Sequence, residues 1–324
     1  MDAIVEGDYV YVNGVGYMAV KGVSHPPGSV IAVPRYDEDF KGIDGLSEGY
    51  VLLKERAPHV LRFDDHAGQV LPIFNTSEVT KVIRAGEWWS VVDRRDRVVQ
   101  RAIELIDLLT ESYSISREAV GLSGSLLLRR QHEGSDIDLV FYSMKESFKV
   151  LDALSSLRSR GLLRPVSDKE PGDLLEKRRP SPYDLSVWVR HESRKLLYGI
   201  FHDRPYSAKI VPLPDEYWER YGSRAWRSMG QVKVEAVVKD DTYAAFTPNR
   251  HIVEVTRVIE GRSEAMEATE VISFRSRFAE QAKSGEEVLV SGRLEMDLRS
   301  SDIRIFVGNV RDDGIMVKSL LTRK

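Results

Sequence analysis

The sequence predicts an α+β fold in which a central α/β core is flanked by a small N-terminal β-rich domain and a C-terminal β-barrel of OB-like order. Three observations predict it. Short β-branched and aromatic runs punctuated by Gly and Pro fill the first 85 residues. Helix-spaced apolar stripes and a strand–turn–helix–strand pattern follow between 86 and 227. Alternating β patterns return from 228 to the end at 324. The expected domains are therefore 1–85, 86–227 and 228–324, since a chain of this length exceeds one ordinary core.

In the first domain, Asp8 to Val12, Tyr17 to Val20 and Ser29 to Pro34 read as strands. His25-Pro26-Pro27-Gly28 is a rigid turn, and its histidine is read as holding backbone groups. In the core, Val99, Ala102, Ile103, Ile106 and Leu109 repeat at helical spacing and predict a helix from Arg94 to Leu109. The Asp93–Arg97 charge cluster at its start is read as a solvated face. A second helix is expected from about Glu146 to Arg158, with Phe148, Leu151, Leu154 and Leu157 on its apolar side. The polar, Pro/Gly-interrupted stretch from Gly161 to Pro180 is expected to be irregular and to lie near the site. Beyond 228 the expected strands are Val232 to Val238, Ile252 to Ile259, Val271 to Phe274, Val288 to Leu294 and Ile303 to Val307. A short helix is expected over Arg277 to Ala282. Three strands, a helix and two strands is the OB order.

Composition narrows the function classes. Cysteine is absent, which removes disulfides, thiolate metal sites and cysteine nucleophiles. No run approaches 18 consecutive apolar residues, and the start MDAIVEGDYV lacks a basic n-region and an apolar h-region. A cytoplasmic protein with no membrane span is expected. A formal charge of −3 argues against a general polyanion-binding surface, although local basic patches fit within a near-neutral total.

The chemistry concentrates in Val120 to Tyr142, VGLSGSLLLRRQHEGSDIDLVFY. It reads as a strand, a tight turn at Gly124-Ser125, a helix over Leu126 to Arg130, and a second strand carrying Asp136 and Asp138. Side chains alternate along a strand, so the two aspartates share a face while Ile137 and Leu139 turn into a core. Two ionised carboxylates about 7 Å apart repel by roughly 2.4 kcal/mol at an effective dielectric of about 20. A divalent cation reverses that sign, and Mg²⁺ takes one or two carboxylates together with substrate phosphates.

These residues resemble the signature of the DNA polymerase β-like nucleotidyltransferase superfamily: a hydrophobic residue, Gly, Gly or Ser, about ten residues, then an Asp-hydrophobic-Asp-hydrophobic strand. Here Ser123-Gly124-Ser125 precedes ten residues, Leu126 to Ser135, and then Asp136-Ile137-Asp138-Leu139. Ser123 stands where the pattern has an apolar residue. Most of the chain also resembles archaeal proteins predicted to be nucleotidyltransferases, which share VKGVSHPPGSVIA and YAAFTP. The resemblance implies a Mg²⁺-dependent enzyme with two metal ions held by Asp136 and Asp138. Its substrate is a nucleoside triphosphate whose phosphates lie at Gly124 and Ser125, with Ser135 positioning the turn. Arg129 or Arg130, and Arg194, Lys195 or Lys209, are further candidates for the triphosphate, each also explicable as a surface charge.

The family pattern further demands a third carboxylate from a later strand. Asp184 fits an alternating strand, Tyr183 to Val187. It equally fits the third position of a helix capped by Ser181 with Pro182 at its first position. In the helical case the later strand is Tyr206 to Val211, which carries Lys209 and no acid. The acceptor stays open among RNA, a protein hydroxyl and a small molecule. The alternative class is a nucleotide- or RNA-binding protein on a catalytically degenerate core, and a partner protein that modifies another protein is a third reading. A basic aromatic face at Arg275, Arg277 and Phe278 would favour a nucleic-acid acceptor.

Overall fold

The computed structural model describes residues 3–43, 45–167, 169–170, 175–176, 179 and 183–321. Helices and mostly antiparallel strands both occur, as the α+β expectation requires. The chain forms two compact units, residues 1–147 with 211–225 and residues 148–210 with 226–324. The break between 225 and 226 falls within two residues of the expected boundary at 227, and no break falls near 85.

The first unit holds a six-stranded antiparallel sheet ordered Leu61–Asp64, Gln69–Asn75, Ser29–Tyr36, Gly16–Val20, Tyr9–Val12, Lys81–Ile83. Val10, Met18, Val20, Val30, Ala32 and Phe74 bury one face with Leu53 of the Gly45–Arg56 helix. His25 behaves as its turn suggested. The Ile31 N–H donates to Nδ1 at 3.4 Å, which leaves Nε2–H to donate to the Ile4 carbonyl at 3.0 Å.

Following this sheet, Asp96 caps the Arg97–Tyr113 helix by accepting from the Val98 and Val99 amides at 2.8 and 3.1 Å. The helix therefore starts three residues later than its stripe alone suggested, because an aspartate accepts orphan amides better than it continues a helix. Val120–Leu122 then pairs antiparallel with Ile137–Tyr142. Residues 211–225 join this unit through Glu216, which accepts from the Ser143 hydroxyl and the Met144 amide at 2.8 and 2.7 Å. Phe148, expected on the apolar side of the Met144–Ser159 helix, is 62% exposed, whereas Val150, Ala153, Leu154 and Leu157 are buried.

In the second unit, Tyr198–Phe201 pairs antiparallel with both Leu163–Arg164 and Arg204–Val211. Much of the expected excursion up to Pro180 lies outside the described residues. Farther on, Trp226–Asp240 pairs with Asn249–Glu260 and with Glu287–Asp297. Glu270–Ser273 pairs with Asn249–Glu260 and, in parallel, with Ile303–Phe306. Ile303–Phe306 returns to Glu287–Asp297, so each of these five strands has at least two partners. Gly292 is required here, since a Cβ would stand 2.6 Å from the Phe306 carbonyl oxygen. The expected helix over Arg277 to Ala282 is only a single 3₁₀ turn, Ser276–Phe278. A further strand outside the expected set, Gly314–Val317, pairs with Glu287–Asp297. Among the described residues no helix is long and apolar enough to cross a membrane.

Candidate functional site

The signature segment takes the expected order with a shorter helix. Val120–Leu122 leads into Ser123, a one-turn helix Gly124–Leu127, and the Ile137–Tyr142 strand, with Asp136 just before it. Gly124 lies in the left-handed region at φ +64°, and a Cβ there would stand 2.1 Å from Asp138 Oδ2. Glycine is therefore needed twice, for the backbone and for the close approach of the carboxylate. The Ser123 amide donates to the Asp138 carbonyl at 2.9 Å, tying the turn to the aspartate strand. Asp136 and Asp138 are half-buried while Ile137 and Leu139 are buried, the alternation expected of them.

Ser123 has its own use. Its hydroxyl donates to the Gly7 carbonyl at 2.7 Å, and the Tyr142 hydroxyl donates to the Glu6 carbonyl at 3.2 Å. Gly7 packs so closely that a Cβ would meet Tyr142 and Val140 within 3 Å. Beside it, Asp8 accepts from the Ala85 and Val5 amides at 2.8 and 3.2 Å. Burial raises the Asp8 carboxyl to about 6, against those bonds and Arg84. Ser125 is half-buried near the helix start, and its hydroxyl bonds to none of the described residues. Ser135 holds the turn before the strand: its hydroxyl accepts from the His132 amide at 2.9 Å, and its own amide donates to the His132 carbonyl.

An aromatic row with no counterpart among the expected site residues adjoins this segment. Tyr11 stands opposite Tyr17, and Tyr17 opposite Tyr36, so three tyrosines form a cross-strand ladder. Phe40, in the turn after Tyr36, stacks on Tyr17 with ring centroids 4.2 Å apart. Arg130 lays its guanidinium over the Phe40 ring at 3.5 Å. Burial raises the Tyr36 hydroxyl above its ordinary value; Asp138 and Asp136 add to this while Arg35 and Arg130 oppose it. The ladder and the aspartates thus share one electrostatic neighbourhood. Tyr9 is likewise raised by burial, with Asp138 adding to the shift and Arg35 opposing it. Tyr11, Tyr17 and Tyr36 stand in the expected strands or just beyond them, but the cross-strand register that aligns them is not visible in the sequence.

Several other candidates take structural roles. Of the two alternatives for Asp184 the helix forms: Asp184 is the residue before Leu185–Glu192, and its carbonyl accepts from the Val187 and Trp188 amides at 3.1 Å. It is the cap position itself rather than the third helical residue; Ser181 and Pro182 lie outside the described residues. The later strand Arg204–Val211 carries the half-buried Lys209. Lys195 is 2% exposed, paired with the fully buried Glu192 and bonded to the Arg277 carbonyl, so it is a core cation. Arg194 pairs with Glu286 at 2.6 Å. Of the residues that a basic aromatic face would have used, Phe278 is buried in the core and Arg275 donates to the Gly308 carbonyl.

Among the described residues no group of three or more His, Asp or Glu is gathered as a metal cluster. Two half-buried carboxylates beside a glycine turn still suit Mg²⁺, which completes its oxygen shell with substrate phosphates and water. In comparison with known proteins, the chain is 25% identical over 331 residues to the uncharacterized protein MJ1086 of Methanocaldococcus jannaschii, covering 94% of this chain and 95% of that protein. No protein-family model and no solved structure matches the chain.

Proposed function

We propose that the chain is a Mg²⁺-dependent nucleotidyltransferase of the DNA polymerase β-like type, moving a nucleoside monophosphate from a triphosphate to an acceptor. The observation that carries this reading is the close approach of Gly124 to the Asp138 carboxylate, which brings the glycine turn against the strand that follows Asp136. Asp136 and Asp138 would hold the metal, and bound Mg²⁺ would offset charge on the triphosphate during transfer. The Ser125 hydroxyl and the unsatisfied first amides of the one-turn helix would bind phosphate oxygens. Gly124 keeps that turn free of a side chain. Pairing order in the second unit supports reading residues 226–317 as an OB-like barrel, since its five strands run 1-2-3-5-4 and return to the first.

The test is stabilisation by Mg²⁺ and ATP together, expected to exceed that of either alone. Binding to the folded state adds about 2.7 kcal/mol at a hundredfold excess over Kd. Asp136→Asn with Asp138→Asn is expected to abolish the joint effect; an unchanged shift in that variant removes the metal site. A second reading, a nucleotide-binding protein that transfers nothing, is favoured by Asp184 capping a helix instead of lying on a strand. Incubation with labelled triphosphate, Mg²⁺ and total RNA or lysate decides between the two.

A further inference from the structure

Beyond the acid pair, the first unit contains a pocket of about 220 Å³ lined by Tyr17, Phe40, Lys81, Arg84, Glu87 and Arg129 among others. Two of its lining residues, Phe40 and Arg129, have left-handed backbones at φ +61° and +55°. Such conformations in non-glycine residues persist only where the surroundings enforce them, and they gather at binding and active sites. For Phe40 the enforcement is local. The Asp37 carboxylate accepts from the Asp39 and Lys41 amides at 3.0 and 2.8 Å, closing the turn that presents the ring. Glu38 is spent in the same way, accepting from the Gly14 amide at 2.7 Å.

The row Tyr11–Tyr17–Phe40–Arg130 ends in an exposed guanidinium. Phe40 is covered by Tyr17 on one side and Arg130 on the other, so the free platform is the outer plane of Arg130. Guanidinium planes are surfaces on which unpaired nucleobases stack. Lys81, Arg129 and Arg130 form no ion pair with a described carboxylate, and all three are exposed. Arg84 differs, being held by Asp8 at 3.8 Å.

We infer that this aromatic–arginine row and its flanking cations bind single-stranded polynucleotide, one base on Arg130 and neighbouring phosphates at Lys81 and Arg129. A strand suits the site better than a lone nucleotide for two reasons. At about 220 Å³ the pocket is smaller than the roughly 300–1,000 Å³ of sites that enclose small ligands. Lys81 and Arg129 line the pocket and Arg130 follows in the chain, so the three cations are spread over the Lys81–Ile83 strand and the segment after Gly124–Leu127, as a backbone track would need. The inference deepens the transferase reading by making the acceptor a nucleic acid, yet the binding itself needs neither metal nor triphosphate.

Fluorescence anisotropy with 12-nucleotide labelled RNA and DNA of one sequence, without Mg²⁺ or triphosphate, tests it. Binding of either strand is expected, weakening with salt between 50 and 200 mM, with the better arm identifying the sugar. Arg130→Ala is expected to weaken binding about tenfold and Arg130→Lys nearly as much, because lysine keeps the charge and loses the plane. Unchanged urea midpoints certify both variants as folded. Wild-type affinity in Arg130→Lys, no binding by the wild type at 50 mM salt, or UMP competing as well as the 12-mer would each overturn the inference. A protein that binds the strand without Mg²⁺–ATP stabilisation fails only the transferase reading, and the reverse result fails only this one.

Discussion

Arg130 and Arg304 make nearly the same contact in opposite settings. Arg130 lies 3.5 Å over Phe40 and is exposed, while Arg304 lies 3.6 Å over Trp226 and is 3% exposed. Burial forced a counter-charge on the second: Arg304 Nε donates to Glu295 Oε2 at 2.8 Å, and Arg293 pairs with the other oxygen. No carboxylate answers Arg130 among the described residues. A stacked arginine is thus a core strut where an acid is buried with it, and available to a ligand where none is. The sharpest test removes the acid. Glu295→Gln is expected to cost about 3–5 kcal/mol, the range for stranding a buried charge, against under about 1 kcal/mol for Arg130→Ala. Equal shifts in urea midpoint would make the Phe40 stack a structural element too.

A second contrast separates the units by pH. In the first, buried Asp8 is raised from 3.8 to about 6, so the folded state holds its proton more tightly than the unfolded chain. Its contribution is full below about 3.8 and is lost as pH climbs through about 6, a swing of about 3 kcal/mol. In the second, burial lowers His191 from 6.5 to about 4. Its Nδ1–H donates to the Val187 carbonyl at 2.9 Å while Nε2 accepts from the Val317 amide at 3.0 Å, so a second proton has no place. That contribution is full above 6.5 and lost as pH falls towards about 4. Asp8→Asn should therefore gain on the wild type as pH rises from 4 to 6, and His191→Gln should close its deficit as pH falls over the same span. Stability differences that stay flat with pH would refute the assignment.

Legibility in the sequence followed the range of the interactions. The acid pair's alternation, the apolar stripe over 99–109 and the His25 turn are local, and the structure repeats them. What was missed depends on partners far along the chain. Tyr11 and Tyr36 meet Tyr17 only through strand register, and Phe278 disappears into a core assembled by strands on both sides of it. Asp184 was undecidable because one short segment satisfied both a strand and a helix start.

At the signature itself, the smaller effects divide backbone from side chain. Gly124→Ala is expected to cost about 1–3 kcal/mol for a left-handed non-glycine residue, and to weaken the joint Mg²⁺–ATP stabilisation by displacing Asp138. Ser125→Ala is expected to cost about 1 kcal/mol or less in stability and about 1–3 kcal/mol in nucleotide affinity. Normal affinity with a much lower Tm would make Ser125 a structural cap.

The bonds from Ser123 to Gly7 and from Tyr142 to Glu6 carry a consequence for biosynthesis. They join residues 116 and 136 positions apart. At about 5–20 residues per second, on the order of ten seconds of translation separate the emergence of the first partner from that of the last. Through that interval the turn before the Tyr9–Val12 strand has no seat for its Glu6 and Gly7 carbonyls. A ribosome-bound fragment ending near residue 85 should therefore be open to proteases that the finished chain resists.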